Sequence, residues 1–141
     1  MEIANFASIL TAMEKVRWGF IGAGYIAKLA LYPALLNSND GEIYAVGSKD
    51  IDRGKSLSPS GLVYTDYDEL LADPKVEAIY ISLPNSLHIE WSIKAMRAGK
   101  HVLCEKPAAM DVAQLKEAIA VANETGLIFM EASWNRWHPR T

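Results

Sequence analysis

Apolar runs and helix-like stretches alternate along this chain, separated by short turns. Residues 16–21 (VRWGFI) form a β-type run that passes straight into Gly22-Ala-Gly24. Residues 25–36 are helical in pattern. Pro33 lies deep enough in them to remove a hydrogen bond to the Leu29 carbonyl, so a kink or early stop is expected. A second strand is expected over 42–48 (EIYAVGS), a short helix over 51–57, a turn at 58–61 and a brief strand over 62–64. Residues 67–71 make one or two helical turns, stopped by Asp73-Pro74, and 76–83 (VEAIYISL) is the clearest buried strand. Ser86 is expected to cap a helix that runs to Ala98, with Gly99 as its stop. A strand at 101–104 follows. Asp111 caps a long helix to Thr125, Gly126 ends it, and 127–130 is a final strand before a tail without clear period.

Strand and helix thus alternate with short connections, the pattern of an α/β, Rossmann-type doubly wound parallel sheet with helices on both faces. Cover on both faces explains why VEAIYISL and HVLC are continuous rather than alternating apolar runs. At 141 residues there is room for one ordinary domain. Its expected organisation is an extension over 1–15, the strand-and-helix domain over 16–130, and a short remainder over 131–141.

Charge and composition narrow the partners. A net charge of −3 gives no basic footprint, so nucleic acid is not an expected partner. The single cysteine, Cys104, excludes an intrachain disulfide and fits a reducing compartment. The first residues lack a basic region followed by a long apolar run, and no apolar stretch is long enough to span a bilayer. A cytoplasmic protein is expected, without a membrane partner. No His, Cys and acid set has convincing metal spacing, so no metal is expected.

The chemistry starts at Gly22-Ala-Gly24-Tyr25-Ile26-Ala27, a match to G-x-G-x-x-[GA] that leaves a strand and opens a helix. Gly22 permits the tight turn, Gly24 lets a pyrophosphate approach bare backbone, and Ala27 lets the helix pack closely on the strand. Free amides at the helix start then face the phosphates. A glycine turn with no ligand remains the bland alternative. After the second strand, Ser48 and Lys49 stand where a ribose-binding acid would favour NAD, and their hydroxyl and ammonium suit a 2′-phosphate. NADP is therefore the expected cofactor. NAD stays open, with Asp50 taking the ribose and Lys49 a solvated turn residue.

Two later motifs, Leu83-Pro84-Asn85-Ser86-Leu87-His88 and Cys104-Glu105-Lys106-Pro107, complete a pattern with the glycine loop and the stretch 130–139 (MEASWNRWHP). Together they resemble the glucose–fructose oxidoreductase/inositol dehydrogenase/MocA family, above all its dihydrodiol dehydrogenase-like NADP-dependent members, over about residues 16–139. The resemblance implies an NAD(P)-dependent oxidoreductase moving a hydride between the nicotinamide and a CH–OH or carbonyl of a sugar, polyol or dihydrodiol. It implies Tyr25 and Ile26 against the pyrophosphate, and Leu83, Pro84, Asn85 and His88 by the nicotinamide ribose. Glu105 and the catalytic Lys106 lie near the reacting carbon, Pro107 is often cis, and Arg136 and Trp134 lie on the substrate side. It also implies that 16–130 is the NAD(P)-binding domain and 131–141 the start of a truncated second, α+β substrate domain, otherwise absent from this chain, which closes the site and commonly carries a homo-oligomer contact.

Blander readings stand beside these roles. Lys106 pairs with Glu105 on a surface loop, His88 is a capping or packing residue, Cys104 is a buried small residue, and Trp134 and Trp137 cover the sheet edge. At the level of function the alternatives are a non-catalytic NAD(P)-binding module and, more weakly, a methyltransferase, for which the later motifs give no support. One substitution tests the cofactor choice. Lys49→Glu removes a charged hydrogen bond of ~1.5–3 kcal/mol. It should weaken NADPH binding about tenfold or more and leave NADH nearly unchanged in parallel fluorescence titrations; equal losses for both exclude a 2′-phosphate contact.

Overall fold

The structure, a computed structural model, describes residues 14–137, 139 and 140, and for residues 136 and 137 the backbone alone. The extension expected over 1–15 and the residue His138 therefore lie almost wholly outside the described residues. Six strands, β1 (Val16–Ile21), β2 (Gly41–Gly47), β3 (Val63–Tyr64), β4 (Ala78–Ile81), β5 (His101–Glu105) and β6 (Phe129–Ala132), form one parallel sheet in the order β3-β2-β1-β4-β5-β6. The order reverses between β1 and β4, which makes that pair the topological switch point.

Side chains alternate across the sheet, and both faces carry a core. Ile21, Ile79, Ile81, Val102 and Cys104 point into a cluster with Leu70, Ile89, Met96, Ala118 and Val121. These come from α3 (Tyr67–Ala72), α4 (His88–Arg97) and α5 (Val112–Thr125). Phe20, Val46 and Tyr80 point the other way, into a cluster with Ala27, Leu35 and Leu57. That second face is covered by the helix after β1 and by α2 (Ile51–Lys55), over the β1–β3 half. Beyond them an apolar groove of about 640 Å³ runs past Ile26, Leu29, Leu103, Met130 and Trp134. The expected helices do lie on both faces, but among the described residues the second layer spans only half the sheet.

Pro33 does not stop its helix. A π-helical turn at Ala27–Leu31, with the Tyr32 N–H donating to the Ala27 carbonyl, precedes α1 (Tyr32–Leu36). The widened turn places Pro33 at the beginning of a new helical segment, where a missing N–H has no partner to lose. The final strand begins two residues later than its apolar pattern suggests. Gly126, at φ 69°, turns the chain, and the Leu127 N–H donates back to the Ala122 carbonyl to finish α5.

The two expected helix caps part company. Asp111 accepts the Gln114 N–H at 2.9 Å and caps α5. Ser86 caps nothing: a 3₁₀ turn at Asn85–Leu87 precedes α4, the Leu87 N–H donates to the Pro84 carbonyl, and α4 starts without a side-chain cap. Local spacing favoured Ser86, but the Pro84 turn takes up the residues a cap would need. Asp111→Ala should therefore cost about 1 kcal/mol in urea unfolding and Ser86→Ala less than about 0.5 kcal/mol; equal losses would contradict this assignment.

Candidate dinucleotide site

Strand register puts the motif residues in one row. Ile21 pairs with Gly47 and with Ile81, Ile81 with Cys104, and Glu105 with Ala132. One step beyond these partners, Gly22, Ser48, Ser82 and Glu105 stand side by side at the carboxyl end of the sheet, where open α/β sheets bind ligands.

At the centre, Gly22 has φ +96° and donates its N–H to the Gly47 carbonyl at 3.0 Å. The Ser82 hydroxyl donates to the Gly22 carbonyl at 3.1 Å, and a Cβ on Gly22 would stand 3.1 Å from the Ser82 carbonyl oxygen. Gly22 is thus glycine for internal reasons of conformation and space. Gly24 is different. A Cβ there would meet nothing nearer than the Ser82 oxygen at 3.9 Å, so the fold itself does not require its bareness. The backbone there stays open to the outside, and a pyrophosphate against the first helical amides would fit that space. Ala27 is fully buried beside Phe20 and Tyr80, as close packing of helix on strand requires. Tyr25 is exposed at the helix start, while Ile26 lines the apolar groove.

On one side of this cradle lies a cleft of about 620 Å³, walled by Lys49, Thr65, Tyr67, Pro84, Leu87 and Trp91. Tyr67 and Trp91 meet edge to face at 5.1 Å. Asp68 and Glu90 are paired to Lys94 at 3.6 and 3.5 Å, and Asp66 accepts the Asp68 N–H as the cap of α3. The acids are engaged, and the exposed Lys49 has no ion-pair partner among the described residues. Ser48 is buried, with its Oγ accepting the Asp50 N–H at 3.2 Å. Asp50 caps α2, accepting the Arg53 N–H at 3.0 Å, with the Arg53 guanidinium 3.8 Å away. Its carboxylate is committed to the helix, and Arg53 adds a second cation beside Lys49. Sequence reading missed Arg53, Ser82 and the Tyr67–Trp91 wall; an arginine three residues after a capping Asp was the available signal.

On the other side are the two later motifs. Pro84 and Asn85 are exposed at the turn and Leu83 is half-buried. Glu105 is buried: its Oε1 accepts the Tyr80 hydroxyl at 2.7 Å and its Oε2 the Lys106 N–H at 3.3 Å. Burial and the carboxylate both hold the Tyr80 phenol well above its ordinary pKa. The bland pairing of Lys106 with Glu105 does not form. The Lys106 side chain is exposed, with no ion pair among the described residues, and the Lys106–Pro107 bond is cis. His88 is buried, facing the Leu83 and Pro107 carbonyls rather than the cleft. Trp134 is exposed on the rim of the apolar groove, and the Arg136 side chain lies outside the described residues. No group of three or more potential metal ligands occurs among the described residues, and none of their helices is long and apolar enough to cross a membrane.

Known proteins share this fold. Residues 16–133 match the model of a family described as an oxidoreductase family with an NAD-binding Rossmann fold. An uncharacterized oxidoreductase of Rhizobium meliloti is 45% identical over 131 residues, 91% of this chain and 39% of its own. The trans-1,2-dihydrobenzene-1,2-diol dehydrogenase of Bos taurus is 35% identical over 128 residues, covering 88% of this chain and 38% of that one. KijD10, a 3-ketoreductase from Actinomadura kijaniata in complex with NADP, superposes with a TM-score of 0.86 at 40% identity, covering 90% of this chain and 41% of that one. The chain therefore spans about two fifths of the length of these relatives.

Cys104 lies fully buried near the end of β5. Burial pushes its thiol from 9.0 up to about 12, with the Ser92 hydroxyl partly opposing the rise. A raised thiol leaves the folded state fully favoured below pH 9.0, and that contribution is lost as the pH climbs towards about 12. At neutral pH Cys104 should not react with a thiol-specific disulfide reagent until the protein unfolds; prompt reaction of folded protein would show an accessible thiolate.

Proposed function

We propose, from the premise that this chain belongs to the GFO_IDH_MocA family of NAD-binding Rossmann oxidoreductases, that it is the NADP(H)-holding domain of a sugar, polyol or dihydrodiol oxidoreductase. The observation that carries the reading is Gly24, bare where nothing inside the protein asks for glycine, at the switch point of the sheet. Amides at the start of the first helix take the pyrophosphate, with Tyr25 and Ile26 beside it. The 2′-phosphate goes to Ser48, Lys49 and Arg53, and the adenine to the cleft between Thr65, Leu87 and Trp91. Leu83, Pro84, Asn85 and Glu105 then flank the nicotinamide ribose. The relative from Actinomadura kijaniata, a 3-ketoreductase crystallised with NADP, supports the same cofactor.

When bound, the nicotinamide supplies the site that gives or takes the hydride. The chain's own contribution is position and charge. Lys106, exposed and without an ion-pair partner, presents its ammonium to the oxygen of the reacting CH–OH or carbonyl, where it steadies negative charge or passes a proton. Trp134 and the apolar groove beside Glu105 form one wall of the substrate side, and the family resemblance assigns Arg136 to that side as well. Hydride transfer needs an oriented, largely dry site. Further chain of the length found in the relatives closes it and carries any homo-oligomer contact. A cytoplasmic setting fits the single buried thiol.

The open groove also favours a second reading, a module that binds the dinucleotide without turning it over. Fluorescence titration separates these. NADPH should bind saturably and more tightly than NADH; no saturable binding by folded protein overturns the cofactor assignment. In a full-length enzyme, Lys106→Ala should lower kcat about 10²–10⁴-fold, and unchanged turnover assigns the lysine wrongly.

A further inference from the structure

Tyr80 is the largest fully buried side chain among the described residues. It stands in the middle of β4, in register with Phe20 of β1 on one side and Leu103 of β5 on the other, and points into the core of the second face. Its ring meets Phe20 edge to face at 5.1 Å. Packing alone would be served by phenylalanine, because a buried phenol needs a partner for its hydroxyl. That partner is Glu105, whose Oε1 accepts the Tyr80 hydroxyl at 2.7 Å.

The two residues are diagonal neighbours on one face of the sheet. Glu105 lies two residues beyond Leu103, the register partner of Tyr80, at the carboxyl end of β5. Tyr80 thus sits one layer down in the core, and Glu105 stands in the row of Gly22, Ser48 and Ser82. A glutamate at a strand end is otherwise free to exchange rotamers. Here Oε1 is held by the phenol and Oε2 by the Lys106 N–H at 3.3 Å. The Lys106 contact comes from the next residue and moves with the same loop, whereas the phenol is fixed to the sheet. Each carboxylate oxygen keeps a further lone pair for a ligand. We propose that Tyr80 is a positioning residue, whose core-anchored hydroxyl holds the Glu105 carboxylate in the orientation that accepts the nicotinamide-ribose hydroxyls. The inference rests on the cofactor reading for the ribose, and on the 2.7 Å bond for the pair itself.

The fold itself does not call for this pair. Glu105 is 7% exposed and borders an apolar groove with Leu103, Met130 and Ala132. Hydrocarbon side chains at both positions would continue that surface and leave no polar atom to satisfy, and such replacements of buried polar pairs are often neutral or stabilising. The pair therefore contributes little that the sheet needs, and it stands where the ligand lies. Burial and the carboxylate hold the phenol well above its ordinary pKa, so it stays a donor through the neutral range. Through Oε2 the same carboxylate also fixes the Lys106 amide, and with it the point from which the Lys106 side chain starts.

Tyr80→Phe keeps the ring and removes the donor. In the folded variant, affinity for NADPH and for NADH should fall about tenfold. Adenosine 2′,5′-bisphosphate, which carries the adenine half without the nicotinamide, should bind as before. Unchanged NADPH binding overturns the positioning role, and so does an equal loss of all three ligands, which marks a general disturbance of the sheet. On a Glu105→Ala background the same substitution should have no further effect on NADPH; a second tenfold loss there shows Tyr80 acting by another route and overturns the role. In the unaltered protein, proton NMR should show a Tyr80 hydroxyl signal protected from exchange, which NADPH shifts and the bisphosphate leaves in place. If Tyr80→Phe does not fold, that signal decides: a hydroxyl moved by neither ligand, or equally by both, overturns the proposal. If the unaltered protein binds none of the three ligands, the cofactor reading falls and the positioning role with it. Saturable binding without the split between the two halves strikes the positioning role alone.

Discussion

The structure turns on the contact between Gly22 and Ser82, where β1 and β4 end side by side. Helices from these two strands leave on opposite faces, so the strand ends are the one place where the two halves of the sheet open above a continuous floor. Ser82 binds the Gly22 carbonyl and leaves no room for a Cβ, while the positive φ of Gly22 throws the chain upwards into its helix. The free amides, the bare Gly24 and the cleft beside Lys49 all take their places from that turn.

Around it the side chains divide by charge commitment. Asp50, Asp66 and Asp111 spend their carboxylates on helix starts, Asp68 and Glu90 on Lys94, and Glu105 on Tyr80 and the Lys106 amide. What stays uncommitted among the described residues of the row is cationic, at Lys49 and Lys106. An acidic chain of net charge −3 thereby presents a locally positive rim to an anionic ligand. The means is pairing of acids, without any overall excess of base.

The uneven second layer has a similar logic. Three helices cover the first face along its length, while the second is covered only over β1–β3. Leu29, Met130 and Trp134 remain on an open groove beside the buried Tyr80–Glu105 pair. A parallel sheet with apolar strands buries both faces where it is complete. The groove is the part of that requirement that the helices among the described residues leave unmet.

Much of this was legible in the residues alone. Period and punctuation determined the order of strands and helices. G-x-G-x-x-[GA] determined the glycine turn from β1 into its helix, and Asp111 and Gly126 determined the bounds of the longest helix, because each depends on interactions within a few residues of itself. Tertiary structure decided the rest. It made Ser86 an idle turn residue, let Pro33 pass by widening a helical turn, buried Glu105 away from Lys106 and turned His88 between two carbonyls. For Glu105 and His88 the deciding partner is a hydroxyl or carbonyl from the neighbouring strand or loop, which local spacing does not reveal; for Ser86 and Pro33 it is a nearby backbone hydrogen bond displaced by proline. Sequence spacing reports what a residue does to its neighbours in the chain; only the closed sheet reports which distant oxygen it meets.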